Sequence, residues 1–123
     1  MSTYKLNSIH TWTLSEAFKH RAAAAGDRDR ENLQDWAEYW GQDQAHTRTH
    51  LLDRDQVQEF MQALDWWAPR FENWARNQGP NCLFSPSYGW LMARDVAIFL
   101  ESGDWVEHFS DHWQRAGKEV ANV

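Results

Sequence analysis

The chain has 123 residues, enough to bury a hydrophobic core within one domain. Its 12 Lys and Arg against 18 Asp and Glu give a net charge of −6, and the bases are scattered among the acids. Because nucleic-acid binders concentrate positive charge to neutralise phosphates, we expect no direct contact with nucleic acid. The single cysteine, Cys82, excludes an intrachain disulfide and a multi-thiolate metal site.

The N-terminal part of the chain predicts a short arm followed by a helix. Residues 1–10 lack the apolar core of a signal peptide, and the sequence has no run of about 20 apolar residues, so we expect a cytoplasmic protein with no membrane partner. Residues 1–12 are predicted to be an extended arm with a short strand. Thr13-Leu-Ser-Glu16 matches a capping box, which starts the first helix near residue 14.

Apolar residues repeat with the period of an α-helix through the rest of the chain. Asp53 and Gln56 form a second capping box, and Pro69 predicts a kink or a restart in the helix that follows. The predicted helices cover residues 14–25, 29–41, 54–78, 88–101 and 105–120, whereas residues 42–52 fit either a helix or a loop. The sequence therefore predicts an all-α single domain, a compact irregular bundle of about five helices with an extended N-terminal arm.

Two His-x-x-x-His pairs, His46 with His50 and His108 with His112, have the spacing that brings two imidazoles to one side of a helix. Such pairs occur in the metal sites of helical bundles, where the ligands point into the core. Here the helical phase turns them away from the apolar stripes or to their edges. We therefore expect no cofactor and no metal, with a histidine-based metal-binding bundle as the alternative.

Patterns typical of catalysis are missing from the sequence. It has no glycine-flanked nucleophilic serine and no phosphate-binding glycine loop, and nothing near Cys82 would activate its thiol. Asp95 lies within the apolar fourth helix, which predicts an ion pair or a hydrogen bond to another helix. The sequence thus favours a protein that is not an enzyme.

Tryptophan is unusually frequent, with nine residues. Five fall on apolar stripes and are predicted to pack in the core: Trp36, Trp40, Trp67, Trp74 and Trp113. Trp66 projects from the opposite face of the third helix, among Glu59 and Arg70, and Trp105 lies on the flank of the last helix. A Trp in a polar field indicates an interaction surface, unless the first helix or the arm covers it.

Carboxylates at i, i+4 and i+7 form a row on the solvent face of the second helix: Glu31, Asp35 and Glu38. Such a row can imitate a phosphate backbone towards a basic protein surface, although a solvated helix face has the same pattern. Together with Trp66, Glu59, Arg70 and Trp105, these residues are the candidate contacts with a protein partner.

In its profile the chain resembles small phage- or mobile-element-encoded antagonists of bacterial defence, above all anti-CRISPR proteins, which are often short, acidic, helical and without catalytic motifs. The resemblance is one of profile and not of motif. It implies a non-enzymatic inhibitor or adaptor that blocks a basic, nucleic-acid-facing surface of its target. A toxin-neutralising immunity protein and a self-associating assembly subunit, hence a homo-oligomer, are further alternatives.

Overall fold

The computed structural model describes residues 1–41 and 47–121. Within these residues the predicted all-α architecture is confirmed, with five helices and a small two-stranded sheet. The elements in chain order are β1 (Ser2–Leu6), α1 (Ser8–Ala24), α2 (Asp27–Gly41), β2 (Arg48–Leu52), α3 (Arg54–Asn77), a 3₁₀ turn (Gly79–Asn81), α4 (Tyr88–Phe99) and α5 (Gly103–Ala121).

The start predicted for the first helix is wrong, because the extended arm ends at Leu6 and α1 begins at Ser8. Asn7 caps the helix: its side chain accepts the N–H groups of Ile9 and His10, both at 3.0 Å. His10 Nδ1 accepts the Asn7 N–H at 3.1 Å and completes a capping box. Thr13 lies inside the helix, where its hydroxyl donates to the Ile9 carbonyl at 2.8 Å.

The arm forms a strand because it finds a partner far along the chain. β1 pairs antiparallel with β2, from Ser2 opposite Leu52 to Leu6 opposite Arg48. Leu6 and Leu52 are buried while Leu51 points to solvent, as expected for a strand with one face on the core. Residues 42–52 were predicted as helix or loop, and this is wrong for residues 48–52, which are all strand because they pair with β1; residues 42–46 lie outside the described part.

The capping box predicted for α3 is confirmed, with Gln56 N–H donating to Asp53 Oδ1 at 2.8 Å and Asp53 N–H to Gln56 Oε1 at 2.9 Å. The helix continues through Pro69 without a restart and ends before Gly79, whose φ of 75° suits glycine.

The core lies where α1 packs on α2 and α3, and where α4 packs on α3 and α5. Its side chains are mainly Leu, Ala and aromatic residues, with Phe18 and Phe60 meeting edge to face at 5.7 Å between ring centroids. Gly89 lets α4 approach α3 closely, since a Cβ there would come within 3.1 Å of Phe71. These contacts fix the spacing of the helices, and most of the candidate residues lie on three of them, α2, α3 and α5.

Candidate functional site

A mainly apolar recess lies between α1, α3 and the loop after the 3₁₀ turn. We call it the aromatic cleft; its volume is about 480 Å³. Six of its nine lining residues are Trp or Phe. The lining consists of Trp12, Glu16, His20, Trp66, Trp67, Arg70, Phe71, Trp74 and Phe84.

Helical periodicity places these side chains together. Trp12, Glu16 and His20 are spaced four residues apart and share one face of α1. The lining residues of α3 recur in the same way from Trp66 to Trp74. The cleft is therefore built on two rigid helices, with Phe84 as its contribution from a loop.

Trp66 has the central position, because it lines the aromatic cleft and also a second cleft of about 450 Å³ between α1, α2 and α3. It is half-buried and packs against the core. Arg70 lies over its indole ring at 3.9 Å and donates to its carbonyl oxygen at 2.6 Å. A cation–π contact of this kind contributes about 0.5–1 kcal/mol at an exposed site, so Arg70 holds Trp66 in place.

Trp74 was predicted to be a core residue, and this is wrong: 47% of its surface is exposed. Its helical phase is that of the apolar stripe, but it lies near the end of α3. There Phe71 contacts it at 5.6 Å between ring centroids. Of the other four Trp assigned to the core, Trp40 and Trp67 are buried, while Trp36 and Trp113 are partly buried against it.

The acidic candidates do not form one surface with Trp66. Glu31, Asp35 and Glu38 are exposed on α2, and none of them lines either cleft. Glu59 differs, since it lines the second cleft together with Trp66 and accepts a hydrogen bond from Asn32 at 3.2 Å. The row thus lies on a different face of α2 from the residues that line the second cleft, and α2 contributes no residue to the aromatic cleft.

Trp105 is half-buried and engaged within the fold. Its indole N–H donates to Gln58 Oε1 at 3.0 Å, and its ring stacks on Phe109 at 5.4 Å. It also meets His108 edge to face at 5.2 Å. Trp105 therefore joins α5 to α3 and forms one wall beside the histidines of α5.

Of the histidines in the metal-binding alternative that the structure describes, His108 and His112 lie together and His50 is not part of their group. His46 lies outside the described residues. His50 lies on β2, where its Nδ1 is 3.1 Å from the Tyr39 hydroxyl and its ring 4.8 Å from that of Trp40. Burial lowers the pKa of His50 below its ordinary value, and the positive charge of Arg48 acts in the same direction.

His108 and His112 instead meet Asp65 of α3, which the sequence analysis missed. We call Asp65, His108 and His112 the histidine cluster; within it one ligand atom of each residue lies within 4.8 Å of the others. His108 Nε2 is 2.8 Å from Asp65 Oδ1. The i, i+4 spacing of the histidines indicated their side of the site in the sequence, but no sequence pattern indicates that a carboxylate from another helix meets them.

Burial also lowers the pKa of His112. Positive charge at His108 and Arg115 acts in the same direction, while the carboxylates of Asp65 and Asp111 oppose it. The Arg115 guanidinium lies against His112 Nδ1, and because a guanidinium only donates, that nitrogen is the acceptor.

Asp95 makes the contact with another helix that was predicted for it. Its Oδ2 lies 2.6 Å from His10 Nε2, which joins α4 to the start of α1. Because His10 Nδ1 accepts the Asn7 N–H, both ring nitrogens are already engaged. This pair has the composition of an acid–base dyad, but no nitrogen is left to accept a proton from a substrate.

Comparison of the chain with protein-family models, with curated proteins and with solved structures found no match in any of the three. Among the described helices, none combines the length and the apolar character needed to cross a bilayer. The aromatic cleft and the histidine cluster are thus the structural basis for assigning a function.

Proposed function

We propose that this chain is a non-enzymatic module that binds another protein through the aromatic cleft. The observation that supports it most is the ring of six Trp and Phe side chains around one surface recess. Trp is enriched where a few residues provide most of the binding energy of an interface. Burying the roughly 100 Å² of a half-exposed Trp contributes about 2.5 kcal/mol, so Trp66 and Trp74 together would anchor a partner.

The partner we propose inserts apolar side chains into the cleft and presents basic residues around it. The net charge of −6 favours encounter with a basic surface. The exposed row of Glu31, Asp35 and Glu38 lies on α2, whose opposite side faces Trp66 across the second cleft. A partner that covers both faces of α2 would meet an apolar anchor and a carboxylate row.

Inhibition of a nucleic-acid-binding protein is the specific form of this proposal. A basic surface that normally contacts phosphates would accept the carboxylate row in their place. The anti-defence role implied by the chain's profile is one instance, and it depends on the same contacts.

Photocrosslinking tests the cleft directly. A benzoylphenylalanine in place of Trp74, 47% exposed, should crosslink to a discrete protein in a lysate of the organism that encodes the chain. The matched control is the same substitution at Phe99, 44% exposed and outside both clefts. Crosslinking at position 74 and not at 99 supports the proposal; no crosslink at 74, or equal crosslinking at both, contradicts it.

Substitutions then separate the anchor from the charge. Trp74→Ala and Trp66→Ala should each weaken capture of the crosslinked partner at least tenfold, a loss of about 1.4 kcal/mol or more. Asp35→Lys should slow association, and raised salt should reduce its effect. Ile98→Ala and Glu107→Lys are the controls, since both residues are exposed away from the clefts. Unchanged capture by the Trp variants would rule out the cleft as the binding site.

A further inference from the structure

The histidine cluster is independent of the aromatic cleft and has the composition of a metal site. His108 and His112 come from successive turns of α5, and Asp65 comes from α3, so the three side chains converge from two helices. Two imidazole nitrogens and one carboxylate oxygen suit zinc and its neighbours among the transition metals, whereas Mg²⁺ and Ca²⁺ prefer oxygen ligands alone.

Aromatic neighbours hold both imidazoles. Trp90 stacks on His112 with ring centroids 4.3 Å apart and planes inclined by only 9°. Trp90 is itself fixed by a hydrogen bond from its indole N–H to Glu72 Oε2 at 3.1 Å. Trp105 meets the His108 ring edge to face at 5.2 Å. The orientation of the two rings is thus set by packing, as an outer shell sets ligands around a metal.

The donor atoms need only a small movement to close on an ion. In a tetrahedral zinc centre with bonds near 2.1 Å, the donor atoms lie roughly 3.4 Å apart. In the cluster the separations are at most 4.8 Å, and the His108–Asp65 pair is already at 2.8 Å. The side chains of His108 and Asp65 are 40% and 41% exposed, so an ion can reach both from solvent.

We propose that Asp65, His108 and His112 form a binding site for Zn²⁺, with water in the remaining coordination position. On binding, the proton shared between His108 Nε2 and Asp65 moves to the other ring nitrogen or leaves to solvent, because the metal takes the lone pair. The ion replaces the hydrogen bond between α3 and α5 by three coordinate bonds, one to Asp65 of α3 and two to the histidines of α5, and it links these helices more firmly.

Arg115 opposes the ion and gives the site a distinctive signature. Its guanidinium occupies Nδ1 of His112, and a cation beside a bound dication is repelled by it. Arg115→Ala removes this charge and should therefore tighten Zn²⁺ binding a few-fold, even though the substitution also removes a hydrogen bond to His112. Weaker binding by this variant would contradict the proposed ligand set.

Calorimetric titration with Zn²⁺, on protein freed of any polyhistidine tag, measures affinity and stoichiometry. One ion should bind per chain, and His108→Ala, His112→Ala and Asp65→Asn should each lower the affinity by about tenfold or more. The matched control is His20→Ala, because His20 and Glu16 are also an i, i+4 histidine–carboxylate pair, 3.1 Å apart on α1. Mg²⁺ should give no comparable heat.

A spectroscopic readout separates coordination from a structural effect of the substitutions. Co²⁺ in place of Zn²⁺ should give the visible absorption of a four-coordinate ion. In a separate titration with Zn²⁺, the imidazole resonances of His108 and His112 should shift until one equivalent has been added, while those of His20 should not. Asp65→Asn is nearly isosteric, so its circular dichroism and melting temperature should match the parent chain. Absence of stoichiometric binding, or an equal loss of affinity with His20→Ala, would overturn the proposal.

Discussion

His10 with Asp95 and His108 with Asp65 are both imidazole–carboxylate pairs that join two helices, with Nε2–Oδ distances of 2.6 and 2.8 Å. Their surroundings differ. His10 is 1% exposed and packs on Phe99 at 4.2 Å, whereas His108 is 40% exposed. The two carboxylates are alike, since the side chains of Asp95 and Asp65 are 42% and 41% exposed. The two pairs therefore differ in the imidazole, which lies inside the fold in one pair and at its surface in the other.

The two pairs also differ in what lies beside each imidazole, apart from its carboxylate partner. At His10 the free nitrogen accepts a backbone N–H, so the pair is complete and serves to cap α1 and to attach it to α4. At His108 the neighbour is another imidazole, His112, at 4.5 Å between ring centroids. The pair whose ring nitrogens are both engaged stabilises the fold, whereas the pair with a second imidazole beside it is suited to binding a metal ion.

The largest expected effect is on stability. His10→Ala should lower the free energy of unfolding by about 3 kcal/mol, because removing this fully buried ring leaves a cavity and an unpaired Asn7 N–H. His108→Ala should cost less than about 1 kcal/mol, as for other exposed ion pairs. Urea denaturation of the two variants measures both values. Equal losses would show that the two pairs do not differ in the way described.

The gain in stability on adding Zn²⁺ should depend on the His108 pair and not on the His10 pair, the reverse of their effects on stability without the ion. At a free Zn²⁺ concentration of about 100 times Kd, the unmodified chain should gain about 2.7 kcal/mol of stability, since the ion binds the folded state. His108→Ala should gain little, whereas Asp95→Asn should keep the full increment although it alters the pair with His10. Thermal melts with and without the ion test this. A gain that survives His108→Ala would place the ion elsewhere.

A smaller effect distinguishes the acceptor at Asp95 from its charge. Asp95→Asn keeps an oxygen that can accept from His10 Nε2, so it should cost about 1 kcal/mol. Asp95→Ala removes the acceptor and should cost about twice that. Denaturant midpoints at constant slope provide the comparison, and a larger loss for Asn than for Ala would contradict a hydrogen bond donated by His10.

The smallest effect is expected at His50, an imidazole with a hydroxyl partner in place of a carboxylate. Because burial lowers its pKa in the folded state, the unfolded chain takes up a proton near its ordinary pKa of about 6.5 while the folded chain does not. The contribution of His50 to stability is therefore complete above that pH and is lost as pH falls towards the lower, folded-state pKa.

His50→Asn keeps a group that can bond the Tyr39 hydroxyl but cannot titrate. The variant should lose less stability than the parent chain when pH is lowered from about 8 to about 5. Urea denaturation across this range measures the two slopes. A steeper slope for the variant would mean that His50 is charged rather than neutral in the folded chain.

Local signals in the sequence were reliable where one turn of helix contained the whole interaction. The Asp53–Gln56 box is such a case. The start of α1 was misplaced because His10 replaces the usual Glu or Gln at the third helical position, and because Thr13-Leu-Ser-Glu16 has the same pattern inside a helix. The contact from Asp95 to another helix was predicted from a single carboxylate within an apolar helix, and it is present, although the side chain is 42% exposed and is therefore not buried by that contact.

The sequence by itself determined the helical class of this protein and most of its helix ends, because hydrophobic period and capping are properties of neighbouring residues. It also indicated the tryptophans and the i, i+4 histidine pairs as candidate site residues. Only the tertiary structure decided that residues 48–52 pair with the N-terminal strand, that Trp74 is exposed, and that Asp65 rather than His50 meets His108. These outcomes depend on which elements pack together. Such packing joins residues distant in the chain, and helical phase alone does not specify their partners.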